Sequence, residues 1–221
     1  MLATTRRLFV AFCMLAIAGT SFAESPNDVI EETAQLLDQE LAGRKDELAA
    51  DTDALYALIN EILLPRFDQR YAAQLVLGKH WRTATPEQRD AFIDAYYGSL
   101  LRRYADGILQ FELDNIEILP FRGDDTKKRV IVKTMVSLDD GTEVPVNYGL
   151  VKRDSGWLMF DVVIEGISYV RNFREELNSE IQRSSLDAVI ERLESEVSGG
   201  DEQAADTSAE AESGEASESD G

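Results

Sequence analysis

Residues 129–164 read RVIVKTMVSLDDGTEVPVNYGLVKRDSGWLMFDVVI, and this stretch decides the fold. Val130, Val132, Thr134, Val136 and Leu138 alternate with Ile131, Lys133, Met135 and Ser137, the period of two that a β-strand imposes. Asp139-Asp140-Gly141 is a hairpin signal, because such a pair tolerates the positive φ that tight turns require. Val144, Val146, Tyr148 and Leu150 alternate through the next strand. Asp154-Ser155-Gly156 marks a second tight turn, and Trp157 to Ile164 makes a third strand. An earlier strand is expected near Leu113 to Leu119. Short turns between strands give an antiparallel meander. Apolar side chains occur on both faces near Val130–Met135 and Leu158–Ile164, which predicts a sheet covered on one side and concave on the other.

Outward from the meander the period becomes helical. Upstream, Ser25-Pro26-Asn27-Asp28 is a helix start, followed by Ile30, Ala34, Leu37 and Leu41, with Gly43 as the stop. A second helix begins near Asp51, carries Leu55, Leu58, Ile59 and Ile62 on one face, and ends or kinks at Pro65. A third, short helix spans Asp68 to Leu77. Thr85-Pro86-Glu87-Gln88 combines an N-cap, a proline at the first helical position and a capping-box glutamine. The helix it starts carries a broad aromatic face, with Phe92, Ile93, Tyr96, Tyr97, Leu100, Leu101 and Tyr104, and stops near Gly107. Downstream of Gly166, Val170, Phe173, Leu177 and Ile181 line one helix, and Leu186, Val189, Ile190 and Leu193 predict another short one.

The two ends differ from this core. Arg6 and Arg7 precede the uncharged apolar run Leu8 to Ala18, and Ser21 and Ala23 put small residues where a signal peptidase reads them. The run is about half of the roughly 20 residues a membrane span needs. Residues 1–23 are therefore expected to be a cleaved signal peptide, 24–197 one domain, and 198–221 an acidic disordered tail. Cys13, the only cysteine, leaves with the signal. The chain has a formal charge of −20, which becomes −22 without the leader. Residues 199–221 hold eight acidic side chains, no basic one and no large apolar one, so they cannot offset the entropy of ordering. So acidic a chain is a poor partner for nucleic acid, whose phosphates call for clustered Lys and Arg.

Enzymatic signatures are missing. His80 is the only histidine, which excludes a multi-histidine metal site, and Gly78-Lys79-His80-Trp81 matches no nucleophile motif. No glycine-rich phosphate loop is present. What remains is amphipathic helices around a short sheet, whose apolar faces either pack into a plain core or leave a cavity between them.

Two blocks carry a resemblance. FDVVIEGISYVRNFR, residues 160–174, resembles a signature of the toluene-tolerance, or MlaC, family, with Tyr169 and Phe173 departing from its usual Leu and Tyr. LGKHWRTATPEQR, residues 77–89, followed by Phe92, resembles a second block of that family. The resemblance spans about residues 25–190. It implies an α+β fold: an NTF2-like curved antiparallel sheet wrapped by amphipathic helices, enclosing an apolar cavity. It also implies a periplasmic phospholipid shuttle that works with an inner-membrane ABC transporter complex and an outer-membrane lipoprotein complex, maintains outer-membrane lipid asymmetry, and needs no cofactor. On that reading the acyl chains are lined by Tyr97, Leu101 and Tyr104 from the long helix, Val132, Met135, Val146 and Tyr148 from the sheet, and Phe160, Val162 and Ile164 from the last strand. Glu165-Gly166 is expected to bend the strand into a helix that Ser168 caps. Two alternatives stay open. One is an enzyme on the same NTF2-like fold, using Asp161 and Tyr148 on a small hydrophobic substrate. The other is a packed adaptor for a transporter that binds no lipid.

Overall fold

A computed structural model describes residues 25–110, 112–138 and 140–198. The leader and nearly all of the acidic tail, with the expectations attached to them, lie outside these residues. Helices come first: α1 (Pro26–Leu41), α2 (Lys45–Ala50), α3 (Thr52–Leu63), α4 (Gln69–Leu77) and the long α5 (Pro86–Leu109). The strands follow as β1 (Ile116–Ile118), β2 (Arg129–Ser137), β3 (Glu143–Arg153), β4 (Gly156–Ile164) and β5 (Ile167–Ser168). Helix α6 (Tyr169–Arg183) and a last helix α7 (186–198) close the described chain. The sheet order is β1-β2-β3-β4-β5, antiparallel throughout, which is the meander that the two turn signals predict.

The helix starts follow local chemistry. Ser25 and Asp28 form a reciprocal capping box on α1, and Thr85 and Gln88 form one on α5, each with a proline at the helix start. Asp51 caps α3 and Asp68 caps α4 through their side chains. Helix α2 was not expected from the sequence. It has one buried apolar residue, Leu48, so it shows no periodic stripe to read. Gly43 takes a positive φ of 72° in the turn that ends α1 after Leu41, as expected, and α2 starts at Lys45. The strand expected near Leu113 to Leu119 contracts to Ile116–Ile118, preceded by a short 3-10 turn.

Helices pack on both faces of the sheet, as the resemblance implies, whereas alternation alone predicts one covered face and one concave face. Val29 and Ile30 of α1 join Val130, Val132, Leu150, Trp157 and Met159 on one face. The other face meets α4 and α6: the Tyr71 and Phe160 rings stand edge to face at 5.2 Å, and Asp161 bonds to the start of α6. Part of that second face stays open, with Ile131 57% exposed.

The apolar interior is not one mass. One cluster joins α4, α5, α6 and α7 around Phe92, Tyr96, Phe173 and Leu177. A second joins α1, α2, α3 and the end of α5 around Leu41, Leu48, Leu55 and Ile59. The third is the α1–sheet cluster. A packed domain usually has one contiguous core with small satellites. Phe67 packs against both the first and the third cluster.

Candidate functional site

Strand register brings five candidate residues onto one face. Val132, Tyr148 and Val162 are partners across three strands, and Val146 pairs with Ile164 on the next rung, beside Thr134. The face results from parity, since residues two apart share a side and antiparallel partners inherit it. Val146, Tyr148, Val162 and Ile164 are all half-buried, whereas Val132 is fully buried against α1. Thr134 is buried too, and its hydroxyl donates to the Val146 carbonyl, so it shows no bare polar group to its neighbours.

Met135 and Phe160 lie elsewhere. Met135 sits opposite Pro145 and Glu117, on the other side of the sheet from Val132. Phe160 is the extra residue of a bulge where the β3–β4 register shifts between Gly149 and Leu150. Its ring packs over Gly149, so closely that a Cβ on that glycine would meet it at 3.1 Å. Only glycine leaves room for a ring against the strand there. On α5, Tyr97 and Leu101 stand one turn apart and half-buried, while Tyr104, 42% exposed, stacks edge-on with Tyr169 at 5.6 Å.

The tyrosines report the polarity of their surroundings. Desolvation pushes the Tyr97 phenol up to about 12 and raises that of Tyr148. Both side chains are nonetheless half-buried by surface accessibility.

The block 160–174 is structural. Asp161 accepts from the Ser168 hydroxyl at 2.6 Å and from the Val170 N–H at 3.0 Å, and Ser168 accepts from the Arg171 N–H at 3.1 Å. Together they satisfy the free N–H groups at the start of α6. Glu165 and Gly166 both take positive φ, 51° and 83°, in the turn before it. Arg174 donates through Nε to the Leu75 carbonyl at 2.8 Å, fastening α6 to the end of α4. In the block 77–89, His80 Nε2 meets Asn178 Oδ1 at 3.0 Å, and the Arg70 and Arg89 guanidinium groups lie 5.4 and 5.3 Å from the Trp81 ring. Asp161 and Tyr148 occupy opposite sides of the sheet, so the pair considered for an enzyme does not converge. No His, Cys, Asp and Glu group able to hold a metal occurs among the described residues.

A feature not anticipated from the sequence is an open groove of about 920 Å³ along the start of β2 and the loop before it, lined by Phe121, Arg122, Lys127, Arg129, Ile131 and Lys133 among others. Its signal was the run Lys127-Lys128-Arg129, which the acidity of the whole chain conceals.

An antiparallel meander with helices on both faces and a half-buried aliphatic wall on one of them defines an α+β protein. The chain belongs to the MlaC protein family, which it matches over residues 31–195. It is 31% identical to the toluene tolerance protein ttg2D of Pseudomonas putida over 206 residues, 92% of this chain and 93% of the relative. It is 20% identical to the intermembrane phospholipid transport system binding protein MlaC of Haemophilus influenzae, across 82% of this chain and 87% of that one. Its fold matches that of a phospholipid-binding protein from Ralstonia solanacearum solved in complex with a phospholipid. That match has a TM-score of 0.71 at 22% identity and covers 78% of this chain and 97% of the other.

Proposed function

We propose that this chain is a periplasmic phospholipid-binding transport protein, exported by a cleaved leader, that shelters acyl chains and catalyses no reaction. In this reading it receives and delivers lipid between an inner-membrane ABC transporter complex and an outer-membrane lipoprotein complex, and so sustains lipid asymmetry. The observation that carries the reading is the wall of Val146, Tyr148, Val162 and Ile164, half-buried and apolar, on one face of the sheet. Tyr97 and Leu101 of α5 complete the proposed lining. Family membership and the names of the relatives support the same conclusion.

The energetics fit. Each methylene exposed to water costs about 0.8 kcal/mol, so an acyl chain cannot cross an aqueous compartment at useful concentration. A wall of valine, isoleucine and tyrosine rings replaces that water without forming a covalent bond. Transfer then needs only a change in how well lipid is held, which a partner can supply by differential binding.

Extraction of protein purified without detergent from the periplasm, followed by mass spectrometry, tests this. Phospholipid close to one molecule or more per chain is expected. A native mass equal to the bare polypeptide in repeated preparations would instead favour the packed adaptor.

A further inference from the structure

The cationic groove runs along a strand edge that pairing leaves bare. β1 and β2 pair from Ile116 with Val136 to Ile118 with Thr134, and one further bond joins the Leu119 N–H to the Lys133 carbonyl at 2.9 Å. Pro120 follows, and the two arms part. The same register would set Phe121 opposite Ile131, but Phe121 packs on the α1–sheet cluster instead. Backbone groups of an antiparallel strand turn alternately to its two neighbours. The Lys152 N–H donates to the Lys128 carbonyl at 2.9 Å, so the even-numbered residues of β2 serve β3. The odd-numbered ones turn the other way, as Lys133 does toward Leu119. At Arg129 and Ile131 the backbone N–H and carbonyl have no hydrogen-bond partner among the described residues. The groove of about 920 Å³ opens over this edge.

The side chains around that edge select its occupant. Arg129, Ile131 and Lys133 share one face of β2, and all three are exposed. Arg122 and Lys127 add two more exposed cations. Asp124, the one carboxylate of the lining, is engaged in its own turn by the Thr126 N–H and hydroxyl. Phe160, which the sequence places in the acyl lining, stands in the wall of the groove, so groove and candidate lining adjoin at the β4 bulge. We propose that the groove binds an extended peptide segment of a partner protein, added as a strand to the free edge of β2. Its acidic side chains lie opposite Arg129 and Lys133, and an apolar one lies opposite Ile131. In such a mode the main-chain bonds give affinity and alternate side chains give specificity. Opposite charges facing each other across strands are favourable, and like charges are not. The bare backbone groups favour a peptide over a lipid, because an acyl chain satisfies neither an N–H nor a carbonyl. A second copy is a poor occupant. Its own β2 edge carries the same cations, and β1 and β5 are only three and two residues long.

Amide hydrogen exchange of the full chain, followed by NMR, tests this. In the chain alone, the Val130 and Val132 amides should be protected and the Ile131 amide should exchange freely. The probe is a blocked synthetic peptide with glutamate, valine and glutamate at alternate positions and threonine between them. It should slow Ile131 exchange severalfold. N-methylation of its valine, whose N–H faces β2, should abolish that protection. N-methylation of a threonine, whose N–H faces away, should leave it intact. Lysine in place of both glutamates should abolish it, and Lys133→Glu, at an exposed position, should weaken the glutamate peptide severalfold. An Ile131 amide already protected in the chain alone overturns the proposal. So does a peptide that gives no protection, or protection that ignores which residue is N-methylated. Protection that grows with the concentration of the chain alone would make a second copy the occupant. Protection by phosphatidylglycerol vesicles but not by the peptide would make it a membrane. Either result overturns the proposal as well.

Discussion

Val132 and Val146 differ by one rung of the sheet, and the difference decides what a tryptophan does at each. Val146 is half-buried beside Ile164, so Val146→Trp should project into the proposed acyl space, abolish co-purifying phospholipid and shift the melting temperature little. Val132 is fully buried among Val29, Ile30 and Leu150, so Val132→Trp should overfill packed core and cost about 1–3 kcal/mol or more. Denaturation of delipidated protein separates the two, because bound lipid would itself raise apparent stability. Gly149→Ala is a third case. Its Cβ would meet the Phe160 ring at 3.1 Å and the Asp161 Cβ at 3.2 Å, so both must shift. A loss of about 1 kcal/mol or more in urea titration is expected. Alternation within each strand, joined by the strand register, places Val132, Val146, Tyr148, Val162 and Ile164 on one face. It equally excludes Met135 from that face, an odd number of residues from Val132 along β2. Phe160 could not be placed by parity, because a bulge resets the count and leaves no mark in composition.

At the scale of elements, the start of α6 carries the most legible chemistry. Asp161 takes two donors there and Ser168 a third, so Asp161→Ala should leave the Val170 N–H and the Ser168 hydroxyl without their acceptor. A loss of about 1–2 kcal/mol is expected, read from the urea midpoint, with Ser168→Ala costing about 1. Phospholipid content should survive both changes, since neither residue belongs to the proposed lining. The strands, both tight turns and the capped helices α1, α3, α4 and α5 could be read from the sequence because each rests on local signals: alternation, Gly in turns, Ser, Thr or Asp before a helix. Helix α2 could not, since one buried leucine makes no period. The closure of both sheet faces by helices was hidden for a different reason. It depends on where α4 and α6 travel in space, and amphipathic periodicity does not record direction.

The whole molecule titrates in a way that follows from its interior. Burial raises the phenols of Tyr96, Tyr97 and Tyr148, that of Tyr97 to about 12 from an ordinary value near 10. A raised folded-state value means that the neutral form is favoured in the native state. This stabilisation is complete below about pH 10 and is lost as pH rises through about 12. The contribution of these phenols should therefore be flat up to about pH 10 and fall above it. Absorbance at 295 nm should show the buried phenols ionising together with unfolding. Ionisation of every tyrosine near pH 10, with the fold intact, would contradict the desolvated interior.

The sheet also ends in a particular way. Strand β1 is three residues long and β5 two, and the outer side of β4 is capped at its other end by the isolated bridge from Phe67 to Met159 and the bond from the Asp68 N–H to the Met159 carbonyl. On the far side, the part of β2 that extends beyond β1 begins at Arg129, directly after Lys127 and Lys128. A second copy seeking to add a strand would find only stubs at the margins and a row of cations guarding the longest of them. Short margins and edge lysines suppress the intermolecular ladders that lead to fibrils. On the proposed function, aliphatic surface stays half-open for a ligand and invites self-association, and these guarded margins withhold the template that would turn such encounters into aggregation.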